Sequence, residues 1–245
     1  MTMKQQTSKV SGARGAEKAR VPSAFDGIAA TYDLLTGMNP GYSKHLRWSA
    51  ERLGAPAEGR LLDLCCGTGL STRAVVDAYP HATVVGLDAS EGMLAKARRK
   101  PALDGVEFVL GDATDPVAAG VTGTFDAILM AYGIRNVPEP DRCIDNLFAL
   151  LRPGGTLCFH EYSVAEQKRT KLLWNVVAST VIIPGGMLTA RSTDIYKYLR
   201  QSVNEFDGVR AFERRLRAHG FVDVHTEPMD GWQRGIVHSF LARRP

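Results

Sequence analysis

The chain has 245 residues, 44% of them hydrophobic and 23% charged, with 30 Lys and Arg against 26 Asp and Glu for a net charge of +4. These proportions belong to one globular domain able to bury a substantial core, and they exclude a low-complexity protein. Much of the positive charge lies in Lys4, Lys9, Arg14, Lys18 and Arg20, without interleaved aromatics, so nucleic acid is not expected as a partner.

Residues 1–20 lack apolar periodicity and read as a disordered basic tail. They also lack the apolar run of a signal peptide, which predicts a cytoplasmic protein. The domain should occupy 21–245. Two helices are expected between 23 and 53, broken at Gly37-Met38-Asn39-Pro40-Gly41. Strands near 60–66, 82–88, 106–110, 124–131 and 155–161 then alternate with helices at 70–79, 90–100 and 141–151, and Pro153-Gly154-Gly155 turns the chain into the fifth strand. Such alternation predicts an α/β fold, Rossmann-like, with a mostly parallel sheet and helices on both faces. After Ser163 the pattern changes. Leu172 to Leu188 is apolar but is interrupted by Asn175, Ser179, Thr180 and Pro184-Gly185-Gly186, which makes it too short and too polar to span a bilayer. Residues 164–205 therefore read as a helical cap over a substrate pocket, with peripheral membrane contact as the alternative. Val209 to His219 has helical spacing and stops at Gly220, and Phe221 to Val224 with Gly235 to Leu241 read as a closing antiparallel pair.

Cys65, Cys66, Cys143 and Cys158 show no C-x-x-C spacing, so no metal site is indicated and buried, reduced thiols are expected.

The chemistry centres on Asp63-Leu64-Cys65-Cys66-Gly67-Thr68-Gly69, a strand, a glycine turn and the start of a helix, followed by a second strand ending in Asp88. Gly67 and Gly69 allow close backbone approach to a ligand, and a carboxylate at the second strand's end suits ribose hydroxyls. The dinucleotide pattern needs a third glycine where Thr72 stands, and the turn offers no cation for a pyrophosphate. The acidic Asp63 favours a cationic ligand, which points to S-adenosyl-L-methionine with Asp63 holding its ammonium side. A nicotinamide site and a structural turn without ligand are the alternatives.

Several further segments resemble the ubiquinone/menaquinone biosynthesis C-methyltransferase family. Phe25-Asp26-Gly27-Ile28-Ala29-Ala30-Thr31-Tyr32-Asp33 looks like its N-terminal signature, and Tyr132-Gly133-Ile134-Arg135-Asn136-Val137 is similar to its F-G-L-R-N-V motif. Leu151-Arg152-Pro153-Gly154-Gly155, Glu161-Tyr162-Ser163, Tyr196-Lys197-Tyr198-Leu199 and Gly235-Ile236-Val237-His238 continue the match. The resemblance implies a class I methyltransferase fold of seven strands with an antiparallel last strand. It also implies methyl transfer from S-adenosyl-L-methionine to a ring carbon of a prenylated hydroquinone. Carried over by position, Thr68, Asp88, Asp112 and Ala113 would contact the cofactor, with Asp112 on the adenine amino group and Ala89 against the adenine face. Ala131 stands where many members carry serine. Leu34 to Trp48 and Trp232 to Ser239 depart from the family pattern, so another small phenolic or natural-product acceptor, O-methylation, and a non-catalytic nucleotide-binding protein stay open. A homodimer is compatible with this reading.

Methylating a ring carbon requires removal of a phenolic proton and stabilisation of the resulting charge. Arg135 and Asn136 follow the fourth strand on the ligand-binding edge: Arg135 is expected to stabilise phenolate charge or activate water, and Asn136 to orient a ring oxygen. Tyr32 would hydrogen-bond the cofactor or close the pocket. His160, next to Glu161, is the first candidate for the base, with His45 and His238 behind it. Glu161 would brace Arg135 or touch substrate. Trp174, Met187 and Tyr198 would supply apolar pocket or cap surface.

Overall fold

The computed structural model describes Lys18 and residues 21–37, 39–190 and 194–245, so the expected tail, apart from Lys18, lies outside the described residues. Two helices come first, α1 (Val21–Gly37) and α2 (Tyr42–Glu51). The alternating segment follows as β1 (Arg60–Leu64), α3 (Leu70–Ala78), β2 (Thr83–Asp88), α4 (Glu91–Ala97), β3 (Glu107–Leu110), β4 (Phe125–Ala131), α5 (Pro140–Leu150) and β5 (Leu151–Tyr162). The chain ends with α6 (Lys168–Val177), α7 (Ile183–Ala190), α8 (Asp194–Glu205), α9 (Val209–Ala218), β6 (Val222–Pro228) and β7 (Val237–Arg243).

The seven strands form one sheet in the order β3-β2-β1-β4-β5-β7-β6. Neighbours from β3 to β5 pair parallel, and β7 runs antiparallel to both β5 and β6, so it alone is reversed. The strand order turns around at β1 and β4, where an open parallel sheet presents its ligand crevice. Residues of β4 are buried along the whole strand, as expected for a central strand covered on both faces. On one face Leu62, Leu64, Ile128, Met130, Leu157 and Phe159 pack against α5 and α9; on the other, Leu61, Leu129 and Cys158 pack against α2 and α3.

Local chemistry explains most boundaries. Ser90 caps α4 by accepting from Met93 N at 3.1 Å. Pro140 opens α5, where a missing amide hydrogen costs nothing. Helix α4 stops before the expected residue 100, and Pro101 begins a short 3₁₀ turn instead. Strand β5 starts earlier than expected. Phe125 pairs with Leu151 and Ala127 with Thr156, so the intervening Pro-Gly-Gly stretch loops out as a bulge inside a continuous strand.

The helices after β5 close over one end of the sheet. The expected interruption at Pro184-Gly185-Gly186 does not break the helical path. A π turn at Ala178–Ile182 absorbs the change, and Pro184 falls in the first turn of α7. Gly186 is required by packing, because a Cβ there would lie 2.2 Å from the Tyr196 ring of α8. Trp174 and Val203 join Tyr162, Val164, Ile236 and Val237 in a third apolar cluster beneath these helices. No helix among the described residues is long and apolar enough to cross a membrane.

Candidate active site

The turn after β1 holds three residues with positive φ: Cys65 at 55°, Gly67 at 56° and Gly69 at 84°. A Cβ on Gly67 would meet nothing within 4 Å, whereas one on Gly69 would lie 2.5 Å from Leu103 Cδ1. Gly67 therefore opens onto space and Gly69 is a packing glycine. The open space is a cavity of about 280 Å³ whose wall includes Tyr32, Gly67, Asp88, Ala89, Asp112, Ala113, Ala131, Tyr132, Arg135 and Asn136. Most of the expected cofactor contacts thus share one wall.

Asp88 is fixed at the cavity by two backbone donors. Its Oδ2 accepts from Gly67 N at 2.8 Å and its Oδ1 from Ser90 N at 2.9 Å. Each oxygen keeps a lone pair free. Burial raises its pKa, against the pull of the backbone donors, with Asp26 adding to the rise. Asp112 Oδ1 accepts from Thr114 N at 2.7 Å, which orients that carboxylate in the same way.

Helix α1 lies across this turn like a strap, and the strap is held by two carboxylates seven positions apart. Asp26 Oδ1 accepts from Ser90 Oγ and, at 2.9 Å, from Gly92 N at the start of α4. Asp33 Oδ1 accepts from Thr68 Oγ1 at 2.5 Å, and its Oδ2 pairs with Lys100 at 2.7 Å. Seven residues are two helical turns, so both carboxylates project from one face. Their anchoring role was not evident from sequence, although the N-terminal signature contains both.

Three expected cofactor ligands are placed elsewhere. Asp63 is fully buried under α3, where Oδ2 accepts from Ser71 Oγ at 2.8 Å and from Thr72 Oγ1 at 2.7 Å. Burial lifts its carboxyl from its ordinary 3.8 to about 7 despite those two donors. It secures the helix and does not line the cavity. Thr68 is fully buried and gives its hydroxyl to Asp33. Gly69 packs against Leu103 and Ala97.

A second cavity of about 370 Å³ adjoins the first, and Tyr32, Tyr132, Arg135 and Asn136 line both. Its other walls come from Tyr42, Tyr162, Tyr196, Tyr198, Trp232 and the apolar faces of α6 to α8, including Val177, Val181, Ile182 and Leu199. Six of the seven tyrosines in the chain border it.

The shared wall is built on a buried ion pair. Arg135 Nη1 donates to Glu161 Oε1 at 2.7 Å and to the Tyr132 carbonyl at 2.7 Å. Only 5% of the Arg135 side chain and none of Glu161 is exposed. Burial pushes the Glu161 carboxyl up, and the charge of Arg135 opposes that push. Glu161 of β5 therefore braces Arg135. Asn136 Nδ2 donates to the Tyr132 carbonyl at 3.2 Å, and Asn136 Oδ1 accepts from Tyr198 Oη at 3.2 Å.

His160 does not reach either cavity. It is fully buried between Ser49 and Tyr132, and burial, reinforced by the charges of His45, Arg52 and His238, lowers its pKa to about 3. A group so averse to a proton is a poor general base. His45 is held by Gln233 and Asp230, and His238 is buried with its pKa lowered to about 4. Trp174 is core, Met187 is exposed, and Tyr198 lines the second cavity. The cysteines are free thiols; burial pushes Cys143 and Cys158 up to about 12 and Cys65 and Cys66 well above their ordinary value. Among the described residues no cluster of His, Cys, Asp or Glu is placed to hold a metal ion.

Comparison with known proteins places the chain in a family. The profile of the ubiE/COQ5 methyltransferase family matches residues 13–242. A demethylmenaquinone methyltransferase from Clavibacter sepedonicus is 34% identical over 208 residues, covering 84% of this chain and 83% of that protein. The ubiquinone/menaquinone biosynthesis C-methyltransferase UbiE of Bradyrhizobium diazoefficiens is 33% identical over 236 residues, covering 91% and 90%. Among solved structures, the [4+2]-cyclase SpnF superposes with a TM-score of 0.65 at 18% identity, over 92% of this chain and 95% of that one. Phosphoethanolamine N-methyltransferase 2 of Haemonchus contortus, in complex with S-adenosyl-L-methionine, gives 0.64 at 19% identity, over 90% and 57%. At these identities the two structures establish the fold alone.

Two outcomes are expected. Since the native state holds a proton on Asp63 that the unfolded chain releases, its stabilising contribution is complete below pH 4 and is lost as pH rises through 7. Urea unfolding should show Asp63→Asn gaining on the wild type by up to about 4 kcal/mol between pH 4 and pH 8; parallel pH curves would refute the assignment. Arg135→Met should cost about 3–5 kcal/mol by leaving Glu161 buried and unpaired, while Arg135→Met combined with Glu161→Leu should recover most of that loss.

Proposed function

Because the chain belongs to the ubiE/COQ5 methyltransferase family, we propose that it transfers the methyl group of S-adenosylmethionine to a ring carbon of a quinol. In this reading the donor fills the first cavity and the acceptor ring fills the second. The observation that carries it is the common wall of Tyr32, Tyr132, Arg135 and Asn136, across which two bound molecules would face each other.

The residues present fit the donor. Gly67 leaves open space where a Cβ would otherwise intrude. Asp88 has lone pairs left for ribose hydroxyls, and Asp112 stands beside Ala113 for the adenine edge. The cavity wall carries two carboxylates against the one ammonium of Lys18, while Arg135 is neutralised by Glu161, so the wall is net negative and a cationic ligand is favoured over a pyrophosphate. S-adenosylmethionine supplies an activated methyl group, and the protein's task is to align and activate the acceptor.

The second cavity suits a flat phenolic ring with an apolar extension. Aromatic residues border it together with the hydroxyl of Thr36 and the amides of Asn39 and Asn136. Arg135 is donor-only and tied down through Nη1, so its remaining N–H groups serve a developing phenolate, not proton abstraction. Asn136, held by Tyr198, orients a ring oxygen. The same helices that wall this cavity expose Leu172, Leu173, Val176, Val181 and Met187, with Lys168, Arg169 and Lys171 at the start of α6. An apolar face flanked by basic residues supports a peripheral contact with an anionic membrane, from which a lipid quinol would enter.

The test is turnover. Incubation with S-adenosylmethionine and demethylated quinols should yield S-adenosylhomocysteine and a product one methyl heavier by mass spectrometry; tighter calorimetric binding of NAD, with no methylated product, would discard the reading. Asp88→Ala should weaken binding of S-adenosylhomocysteine by about 1.5–3 kcal/mol, as expected for loss of a charged acceptor; unchanged affinity would remove Asp88 from the ribose. The wild type should co-sediment with anionic vesicles, and Leu172→Asp should abolish that without affecting cofactor affinity.

A further inference from the structure

A row of buried polar groups runs behind the acceptor cavity and ends on it. Arg52 Nη1 donates to Ser239 Oγ at 2.9 Å, Ser239 Oγ lies 2.7 Å from Ser49 Oγ, and Ser49 Oγ lies 2.7 Å from His160 Nδ1. His160 Nε2 then stands 2.9 Å from Tyr132 Oη. Ser49, Ser239 and His160 are all fully buried. Tyr132, at the far end, lines both cavities.

The direction of this chain follows from its first member. Arginine only donates, so Ser239 must accept from it. The Ser239 hydroxyl then gives its hydrogen to Ser49, and Ser49 gives its own to His160 Nδ1. That leaves the imidazole hydrogen on Nε2, where it is donated to Tyr132 Oη. Reversing the order would make Ser239 accept from both Arg52 and Ser49 and direct its own hydrogen at the Cys158 thiol, a weak acceptor. A buried hydroxyl hydrogen without a partner is disfavoured. Burial and the neighbouring His45, Arg52 and His238 keep the His160 ring neutral, so a single ring hydrogen has to be placed. With its oxygen already accepting from His160, the Tyr132 hydroxyl must donate its hydrogen: to the Tyr162 hydroxyl in the free protein, or to a ring oxygen brought beside the two tyrosines in the second cavity.

The backbone presents this group under strain. Tyr132 has φ of 56°, which a non-glycine residue adopts only when its surroundings impose it, and its N donates to the His160 carbonyl at 2.7 Å. Its ring is fixed between Tyr42, stacked at 5.6 Å, and Tyr162 at 4.9 Å. Gly133 beside it has no room for a Cβ, which would lie 2.6 Å from Cys65 Sγ.

We propose that Tyr132 is a catalytic residue of this site, its hydroxyl donating a hydrogen bond to the acceptor's ring oxygen, and that Arg52, Ser239, Ser49 and His160 are positioning residues that force it to donate. The proposal rests on the reading that a phenolic ring fills the second cavity. No proton is transferred along the row. A fixed donor favours the phenolate over the phenol, and so raises the electron density of the ring carbon that is methylated.

The first experiment is the pH dependence of turnover for wild-type enzyme, Tyr132→Phe and Ser49→Ala. Tyr132→Phe should lower kcat by about tenfold to a hundredfold, leave KM for S-adenosylmethionine unchanged, and move the acidic limb of the profile up by about one pH unit. Ser49→Ala, which touches neither cavity, should shift the limb in the same direction by less. A loss of rate with an unmoved acidic limb would mean that Tyr132 only packs, and would overturn the proposal. The second experiment needs no methylation. With S-adenosylhomocysteine present, the absorbance of bound 4-nitrophenol is titrated on wild type and on Tyr132→Phe. A bound pKa about one unit lower on the wild type supports the assignment; equal values, or no binding to the wild type, overturn it. Should no quinol be methylated, the proposed activity falls while the nitrophenol titration still decides the role of Tyr132.

Discussion

A guanidinium cannot be taken out of water without a carboxylate to meet it, and the union of Arg135 with Glu161 sets the geometry around it. Arg135 stands just past β4 and Glu161 near the end of β5, so the pair joins the two strand ends that face both cavities. Arg135 also donates to the Tyr132 carbonyl, and Asn136 donates to that same oxygen. One carbonyl is thereby held by two side chains, which helps to keep Tyr132 in its strained conformation. Removing either charge would disturb more than a single contact, because the wall between the cavities is made of these few residues.

The other boundary of the site is made by α1, and it depends on charges of the opposite kind. Asp26 and Asp33 fasten the helix to the start of α4 and to the glycine turn, and Tyr32 beside Asp33 reaches both cavities. An anion near a helix N-terminus is favourable, which suits Asp26 at the start of α4. Polar contacts thus fasten this helix over the first cavity, whereas the core beneath is apolar on both faces of the sheet.

Much of this was legible in the sequence, and the gaps have physical reasons. The strand and helix alternation was readable because buried parallel strands are continuous apolar runs with glycine and proline between them. Asp88 was readable as a cavity residue because it ends a strand on the ligand-binding edge, whereas Asp112, two residues past β3, was reached through the family resemblance. Asp63 was misplaced, although strand periodicity carried the answer. Leu62 and Leu64 face α5, so Asp63 must face α3 with Leu61, and Ser71 and Thr72 wait there to bond it. His160 follows the same rule: it shares a face with Cys158, toward α2, while Glu161 shares the other face with Phe159. What no local pattern could show is the set of partners for Asp26 and Asp33, which lie 35 to 67 positions away. The positive φ of Tyr132 is equally a product of the assembled site.

The likeness to SpnF and to an N-methyltransferase bears on where specificity resides. Two solved structures with this fold, at 18% and 19% identity to this chain, are a [4+2]-cyclase and an N-methyltransferase, so the fold alone does not decide the reaction. In this protein the difference lies in what faces the first cavity. Asp88 and Asp112 outnumber Lys18 on its wall, and Tyr32, Tyr132, Arg135 and Asn136 are shared with an adjoining chamber bordered by six tyrosines. Tyrosine presents a broad apolar face at little entropic cost, together with one hydroxyl that needs a partner. A chamber of such residues accepts a flat ring by contact alone but can act on it only if a hydroxyl is aimed. The row ending at His160 supplies that aim, since a donor-only arginine at its head favours the arrangement in which each hydroxyl hydrogen in the row meets a strong acceptor.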